Sequence, residues 1–304
     1  MTHTQPEQQT APENNPAQIT LLKIRKWGAC SDGRYWFREK FPQGGSYGEV
    51  MNGLYADKRY DDAHWLANMA FDVKNISADF IKSDVRSIIA VTEGVDIDEN
   101  DGARIGSSGD GTRIGSSGND ARIGSSGDGT RIGSSGNDAR IGSSGYGARI
   151  GSSGYDAQIG SSGNGAQIGS SGYGARIGSS GYGARIGSSG NGAQIGSSGY
   201  GARIGSSGNG ARIGSSGDGT RIGSSGNGAQ IGSSGDGTRI VCSGENATIA
   251  FAGRRGSVRL GKGGAASLVW HDGIRNRFIN IYEGEDGIEA GVLYAIKNGK
   301  MVRQ

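Results

Sequence analysis

Through the middle of the chain, apolar positions keep a single phase. An isoleucine recurs every ninth residue from Ile105 to Ile240, each two positions after an Ala or Thr such as Ala103 or Thr112. In extended backbone, residues two apart share a face, so Ala and Ile point together while the intervening Arg104 or Gln158 points the other way. The remaining six residues, mostly Gly-Ser-Ser-Gly-Asx/Tyr-Gly, are turn material. Each nonapeptide therefore predicts a short strand followed by a bend, and a period this strict predicts a stacked solenoid.

Nine residues make too tight a loop to enclose inward side chains, so two phrases are expected per coil. The variable turn position supports this independently. One set of alternate copies carries Asp110, Asp128, Tyr146, Asn164, Tyr182, Tyr200, Asp218 and Asp236. The other carries Asn119, Asn137, Tyr155, Tyr173, Asn191, Asn209 and Asn227, with no Asp, and Thr112, Thr130, Thr220 and Thr238 follow only the first set. Eight coils at about 4.8 Å give a rod of roughly 38 Å. A flexible Gly/Ser tether is the competing reading. Burying one Ile per phrase does not offset the ordering of nine backbones, so hydrogen bonds between coils must supply the rest. The unvarying phase of Ile argues for the stack, because a spacer has no reason to keep it.

The flanks predict smaller modules. Residues 1–17 are rich in Gln, Asn, Pro and Thr and predict a disordered tail. Residues 18–72 predict two or three short helices around an aromatic core. Leu21, Ile24 and Trp27 have helical spacing, yet Leu22-Lys23-Ile24-Arg25 alternates like a strand, so this first element stays open. Ser46-Tyr47-Gly48-Glu49 has the spacing of a capping box, and a further helix is expected near Asp61 to carry Trp65, Leu66, Met69 and Phe71. Such a module would shield the first coil or dock a partner, with Trp36 and Trp65 as candidate docking residues. Residues 73–102 predict irregular strands leading into the array at 103–249. Residues 250–304 predict a β-rich cap, in which Asn298-Gly299 signals a type I′ hairpin. The fold class is thus mainly β: a parallel β-solenoid with a small α-helical N-terminal module and a β-hairpin C-terminal cap.

Composition adds exclusions. The net charge of +3 is too small to imply nucleic-acid or membrane binding by itself. No apolar run is long enough to span a bilayer and the polar start has no secretion-signal core, so a cytoplasmic protein is expected. Cys30 and Cys242 then read as free thiols.

The layout resembles a group of largely uncharacterised Gly-rich repeat proteins of bacteria, phages and prophages. The residues that carry the resemblance are Gly28-Ala29-Cys30 with Trp65-Leu66 in front. Behind the array they are Glu245-Asn246-Ala247, Ala252-Gly253 and Gly284-Glu285-Asp286-Gly287-Ile288. More loosely, Ala-x-Ile-Gly looks like the head repeats of trimeric autotransporter adhesins, which form β-rolls. The resemblance implies a repeat fold and brings no catalytic residue.

Candidate chemistry is sparse. Calcium-binding nonapeptides place a carboxylate where this repeat mostly has Gly, and only Asp120, Asp138 and Asp156 match. His3, His64 and His271 lack nucleophile or metal-ligand spacing. No catalytic residue, metal or cofactor is expected. The repeat offers instead an outward row with twelve Arg against seven Asp over residues 103–240. Candidate interaction residues are Arg140, Arg149, Arg176, Arg185, Arg203 and Arg212, with a ladder of Tyr146, Tyr155, Tyr173, Tyr182 and Tyr200. Tyr155 with Tyr173, and Tyr182 with Tyr200, should meet on adjacent coils. The expectation is a non-enzymatic, phage- or prophage-related rigid scaffold with an unidentified protein partner. The alternatives are nucleic-acid or acidic-partner binding through the Arg rows, and ice binding on the flat stack.

Overall fold

The computed structural model describes residues 18–70 and 101–304. Sixteen four-residue strands, β3 (Arg104–Ser107) through β18 (Arg239–Cys242), begin every nine residues, so that β7 is Arg140–Ser143 and β8 is Arg149–Ser152. They never pair with their immediate neighbours in sequence. Each pairs in parallel with the strand eighteen residues away, Arg140 opposite Gln158 and Ile141 opposite Ile159. Two phrases therefore complete one coil, and odd and even strands build two separate sheets of eleven strands each.

Inside the coil, Ile, Ala or Thr, and the Ser that ends each strand face inward. The Ile ladder is buried almost without break from Ile114 to Ile240 and is continuous with the core of the C-terminal cap. Coil-to-coil hydrogen bonds supply what apolar burial alone does not. Arg140 N donates to Ala121 O at 2.7 Å and Ser144 N to Ser125 O at 3.0 Å, and this pattern repeats along the rod. A third ladder runs along the turns. Asp110 Oδ1 accepts the backbone N–H of Asp128 at 2.8 Å, and Asn119 Oδ1 that of Asn137 at 2.9 Å. The recurring Asx is thus a bracket between coils, which accounts for its phase. Asp120, Asp138 and Asp156 hold φ near +55°, the left-handed conformation that Gly111 and Gly129 take at the same turn position. Among the described residues no group of three or more His, Cys, Asp or Glu is placed to hold a metal ion.

Ser-Thr pairs explain the threonines inside the stack. Thr130 Oγ1 donates to Gly127 O at 2.7 Å and lies 3.0 Å from Ser125 Oγ, and Thr220 and Thr238 repeat the arrangement.

Before the array, β1 (Gln18–Ile19) and β2 (Gly45–Ser46) pair antiparallel beside four helices, α1 (Leu21–Lys26), α2 (Ser31–Lys40), α3 (Tyr47–Ala56) and α4 (Tyr60–Ala70). The ambiguous first element is helical. Thr20 Oγ1 accepts from Lys23 N at 3.2 Å as its N-cap, and Ile24 is buried while Leu22 faces solvent. The capping box forms as its spacing predicts, with Ser46 N donating to Glu49 Oε2 at 2.7 Å and Glu49 N to Ser46 Oγ at 3.3 Å. Ile19, Phe37, Tyr47, Met51 and Leu66 build this module's own core. The strands expected at 73–102, the tail 1–17 and Phe71 lie outside the described residues, apart from positions 101 and 102.

After the array, β19 (Thr248–Phe251), β20 (Ser257–Arg259) and β21 (Ala265–His271) carry on the parallel stacking with larger inward side chains. Two antiparallel hairpins then end the sheets. β22 (Asn276–Tyr282) folds back on β21, while β23 (Leu293–Lys297) pairs with both β20 and β24 (Lys300–Arg303). Asn298 and Gly299 both have positive φ, 50° and 74°, as the type I′ signal requires. Among the described residues no helix is long and apolar enough to cross a membrane.

Candidate interaction faces

The two sheets of the solenoid have almost the same sequence and opposite surroundings. On the odd sheet, Arg104, Arg122, Arg140, Gln158, Arg176, Gln194, Arg212 and Gln230 are exposed, and so are Gly142, Gly160, Gly178 and Gly196 beside them. A Cβ added to Gly142, Gly178 or Gly196 would meet nothing within 4 Å. The face is a shallow, open bare-backbone trough alongside a row of long polar side chains, about 1110 Å³ between Arg140 and Ala250.

On the even sheet the same positions are covered by the chain itself. Arg149 and Arg185 are 1% and 2% exposed, Gln167 is 3% exposed, and Arg203 is half-buried. The outward glycines Gly133, Gly151, Gly169, Gly187 and Gly205 are buried too. Arg149 Nη1 donates to Asn52 Oδ1 of α3 at 3.4 Å, which brings the helical module to the flank of the rod.

The candidate arginines thus fall into two groups that cannot act as one surface. Arg140, Arg176 and Arg212 lie on the open sheet; Arg149, Arg185 and Arg203 lie on the covered one. The single outward row expected from the sequence is therefore corrected to one exposed row and one that is buried in its middle, at Arg149, Gln167 and Arg185, and exposed again at Arg113 and Arg221. The sequence holds a signal for this. From 140 onward the open row alternates strictly, Arg140, Gln158, Arg176, Gln194, Arg212, Gln230, whereas the covered row has Gln only at 167. Alternation halves the linear charge density of an uncovered cation ladder whose steps are about 4.8 Å.

The tyrosines also divide. Tyr146, Tyr182 and Tyr200 occupy one edge of the rod, where odd strands turn into even ones, and Tyr155 and Tyr173 occupy the other. All five are between 54% and 62% exposed. Tyr182 and Tyr200 stack with ring centroids 5.3 Å apart at 12°, and Tyr155 and Tyr173 meet at 5.6 Å and 36°, as the eighteen-residue spacing predicts. At these positions ring contact replaces the Asx bracket.

In the helical module, Trp36 is a core residue rather than a surface one. Its Nε1 donates to Asp57 Oδ2 at 2.7 Å, and this bond together with Lys40 at 3.0 Å holds the Asp57 carboxyl below its ordinary range. Trp65 is half-buried and, with Trp36, Phe37 and Leu66, lines a cavity of about 290 Å³. Both cysteines are free, Cys30 exposed and Cys242 buried.

Residues 9–74 match the YdhT N-terminal domain family, which places the helical module within that likeness. The chain is also 52% identical over 40 residues to the uncharacterized protein YdhT of Escherichia coli strain K12. That match covers 13% of this chain and 15% of the relative, so the chain spans only a small part of the curated relative it matches. The likeness is to an uncharacterised bacterial protein. No solved structure matches the chain.

Proposed function

We propose that the chain is a non-enzymatic scaffold, a rigid β-solenoid that carries its helical module on one flank and offers the opposite sheet to a protein partner. What supports this reading is the contrast between the two sheets. The outward glycines are buried on the even sheet from Gly115 to Gly223 and exposed on the odd sheet from Gly106 to Gly214, seven coils of nearly identical strands. A trough of exposed glycine backbone flanked by Arg and Gln is a surface that a partner's extended segment can approach closely.

The open side favours an acidic partner. From residue 157 to 217 the sequence contains neither Asp nor Glu, while Arg176 and Arg212 project from the open sheet. The acids of the array lie toward its two ends. A nucleic acid would meet the same cations, and the test separates the two. Retention of the full chain on immobilised poly-glutamate and on DNA is compared across salt concentrations, for the wild type and for a variant with Arg140, Arg176 and Arg212 changed to Gln. The acidic-partner reading expects retention on poly-glutamate that the variant loses. Retention on DNA alone would transfer the role to nucleic acid, and no retention on either at low salt removes both.

Rigidity has its own test. Deleting residues 191–226 removes two whole coils in phase and is expected to shorten the particle by about 9.6 Å in small-angle scattering. A change in flexibility in place of length would count against a rigid rod.

A further inference from the structure

The repeat supplies its own reference sequence, and the place where it is broken most sharply is a turn beside a cavity. At the turn after each odd strand, the array carries Asx or Tyr and then Gly. One coil past Asp236-Gly237, the same two positions are Arg254-Arg255. Arg254 N still donates to Asp236 Oδ1 at 2.7 Å, so the turn keeps its geometry. Arg255 therefore takes φ +56°, where Gly237 has +65°. Among the described residues, Arg255 and Lys58 are the only positive-φ positions that are neither Gly nor Asx. A left-handed Arg is unfavourable, and a local rule broken at a cost points to a site.

Both arginines line a cavity of about 550 Å³ together with Phe251, Trp270, His271 and Asp272. The one carboxylate in this lining is already occupied. Asp272 Oδ1 accepts from Ile274 N and Arg275 N, both at 2.8 Å, and Oδ2 accepts from Arg277 Nε at 2.6 Å. It does not neutralise Arg254 or Arg255, and no described acidic side chain forms a salt bridge with either. Gly273 N donates to His271 Nδ1 at 3.1 Å, which leaves Nε2 as the protonated nitrogen and a donor. Trp270 is held from behind: a Cβ on Gly299 would stand 2.6 Å from its ring. The cavity thus combines two unpaired guanidinium groups, an imidazole donor and an indole wall, within the size range of small-ligand sites.

We infer that this cavity binds a small organic anion, a phosphate or carboxylate group on a planar ring, with Arg254, Arg255 and His271 holding the anion and Trp270 stacking on the ring. The site lies in the cap, and it stands or falls separately from the open sheet.

Phenyl phosphate is titrated into the full chain by calorimetry, beside inorganic phosphate and benzyl alcohol. One-to-one binding of phenyl phosphate is expected, stronger than that of either fragment. The double variant Arg254→Asn/Arg255→Gly restores the Asx-Gly pair of the array at this turn, so it should fold as the other turns do. It is expected to bind at least tenfold more weakly, with an unchanged or raised thermal midpoint. A second variant, Arg140→Gln/Arg176→Gln, makes the same charge change on the open sheet and should bind like the wild type. The inference is overturned by no heat from the wild type, by equal affinity in the Asn-Gly variant, or by an equal loss in the open-sheet control.

Discussion

A side-chain carbon on Gly145 would stand 1.9 Å from the carbonyl oxygen of Gly127, the equivalent residue one coil below. The backbones meet there with no room for any Cβ. Three residues earlier, Gly142 faces open solvent, and a Cβ on it would touch nothing within 4 Å. Two glycines of one phrase therefore have opposite tolerance. Gly145→Ala is expected to cost at least about 3 kcal/mol, because two backbones must separate. Gly142→Ala should be neutral or slightly stabilising, since it restricts the unfolded chain at no steric cost. Chemical denaturation of the two variants checks this, and equal effects would refute the coil contact.

Buried serines offer the opposite kind of change. Ser134, Ser152 and Ser170 are fully buried and their hydroxyls have no hydrogen-bond partner, whereas Ser125 meets Thr130. Removing a desolvated, unpaired hydroxyl should help, and breaking a paired one should hurt. Ser152→Ala is expected to raise stability by about 1 kcal/mol. Thr130→Val, which keeps shape and loses both bonds, should lower it by about 1 to 2 kcal/mol. Thermal midpoints moving in the same direction for both variants would contradict these assignments.

Period and phase made the solenoid legible, because Ile105 to Ile240 and the two alternating Asx/Tyr sets record the coil length directly. The capping box at Ser46 and Glu49 and the turn at Asn298-Gly299 were legible for the same reason: each is set by local backbone geometry. The covering of one sheet left only the Arg/Gln alternation from Arg140 to Gln230 as a trace, since Arg149 and Arg176 sit in identical Ala-Arg-Ile-Gly contexts and tertiary contacts tell them apart. Trp36 misled in the same way, for an aromatic residue in a small module reads equally as core or as docking surface. The cavity at Arg254 needs residues from 251 to 298 to converge, which no local pattern announces.

Cys242 gives a pH signature. Burial pushes its thiol up to about 12 from an ordinary value near 9.0. A folded-state pKa raised above the unfolded one means that the folded chain holds the proton more tightly. The resulting stability is full below pH 9 and is lost as the pH rises from there toward 12. The wild type should lose stability faster than Cys242→Ala across that window. Iodoacetamide at pH 8 is expected to label exposed Cys30 and to spare Cys242 until the chain unfolds, read by mass spectrometry.

The Tyr182–Tyr200 stack takes the place of the bracket found elsewhere along that edge. Asn164 Oδ1 accepts the N–H of Tyr182 at 2.9 Å, but a tyrosine ring at 200 has no equivalent acceptor for Asp218. Tyr200→Asn would exchange ring contact for the Asx hydrogen bond and should be close to neutral. Tyr200→Ala forfeits both and is expected to cost about 0.5 to 1.5 kcal/mol. Equal losses in the two variants would show that the ring contact itself is what the edge requires.

The split between the sheets makes stability and binding separable. Arg149 is buried with its guanidinium against Asn52, so Arg149→Ala leaves a cavity on the covered side. A loss of about 2 to 3 kcal/mol is expected there, with the open sheet left intact. Arg176 extends into solvent between Gln158 and Gln194, and Arg176→Ala should leave the denaturation midpoint unchanged because no packing is removed. On poly-glutamate the order should reverse, with Arg176→Ala weakening retention and Arg149→Ala preserving it at temperatures where that variant stays folded. If both arginines altered stability alike, the two sheets would be equally covered in solution, and the open face would no longer be available to a partner.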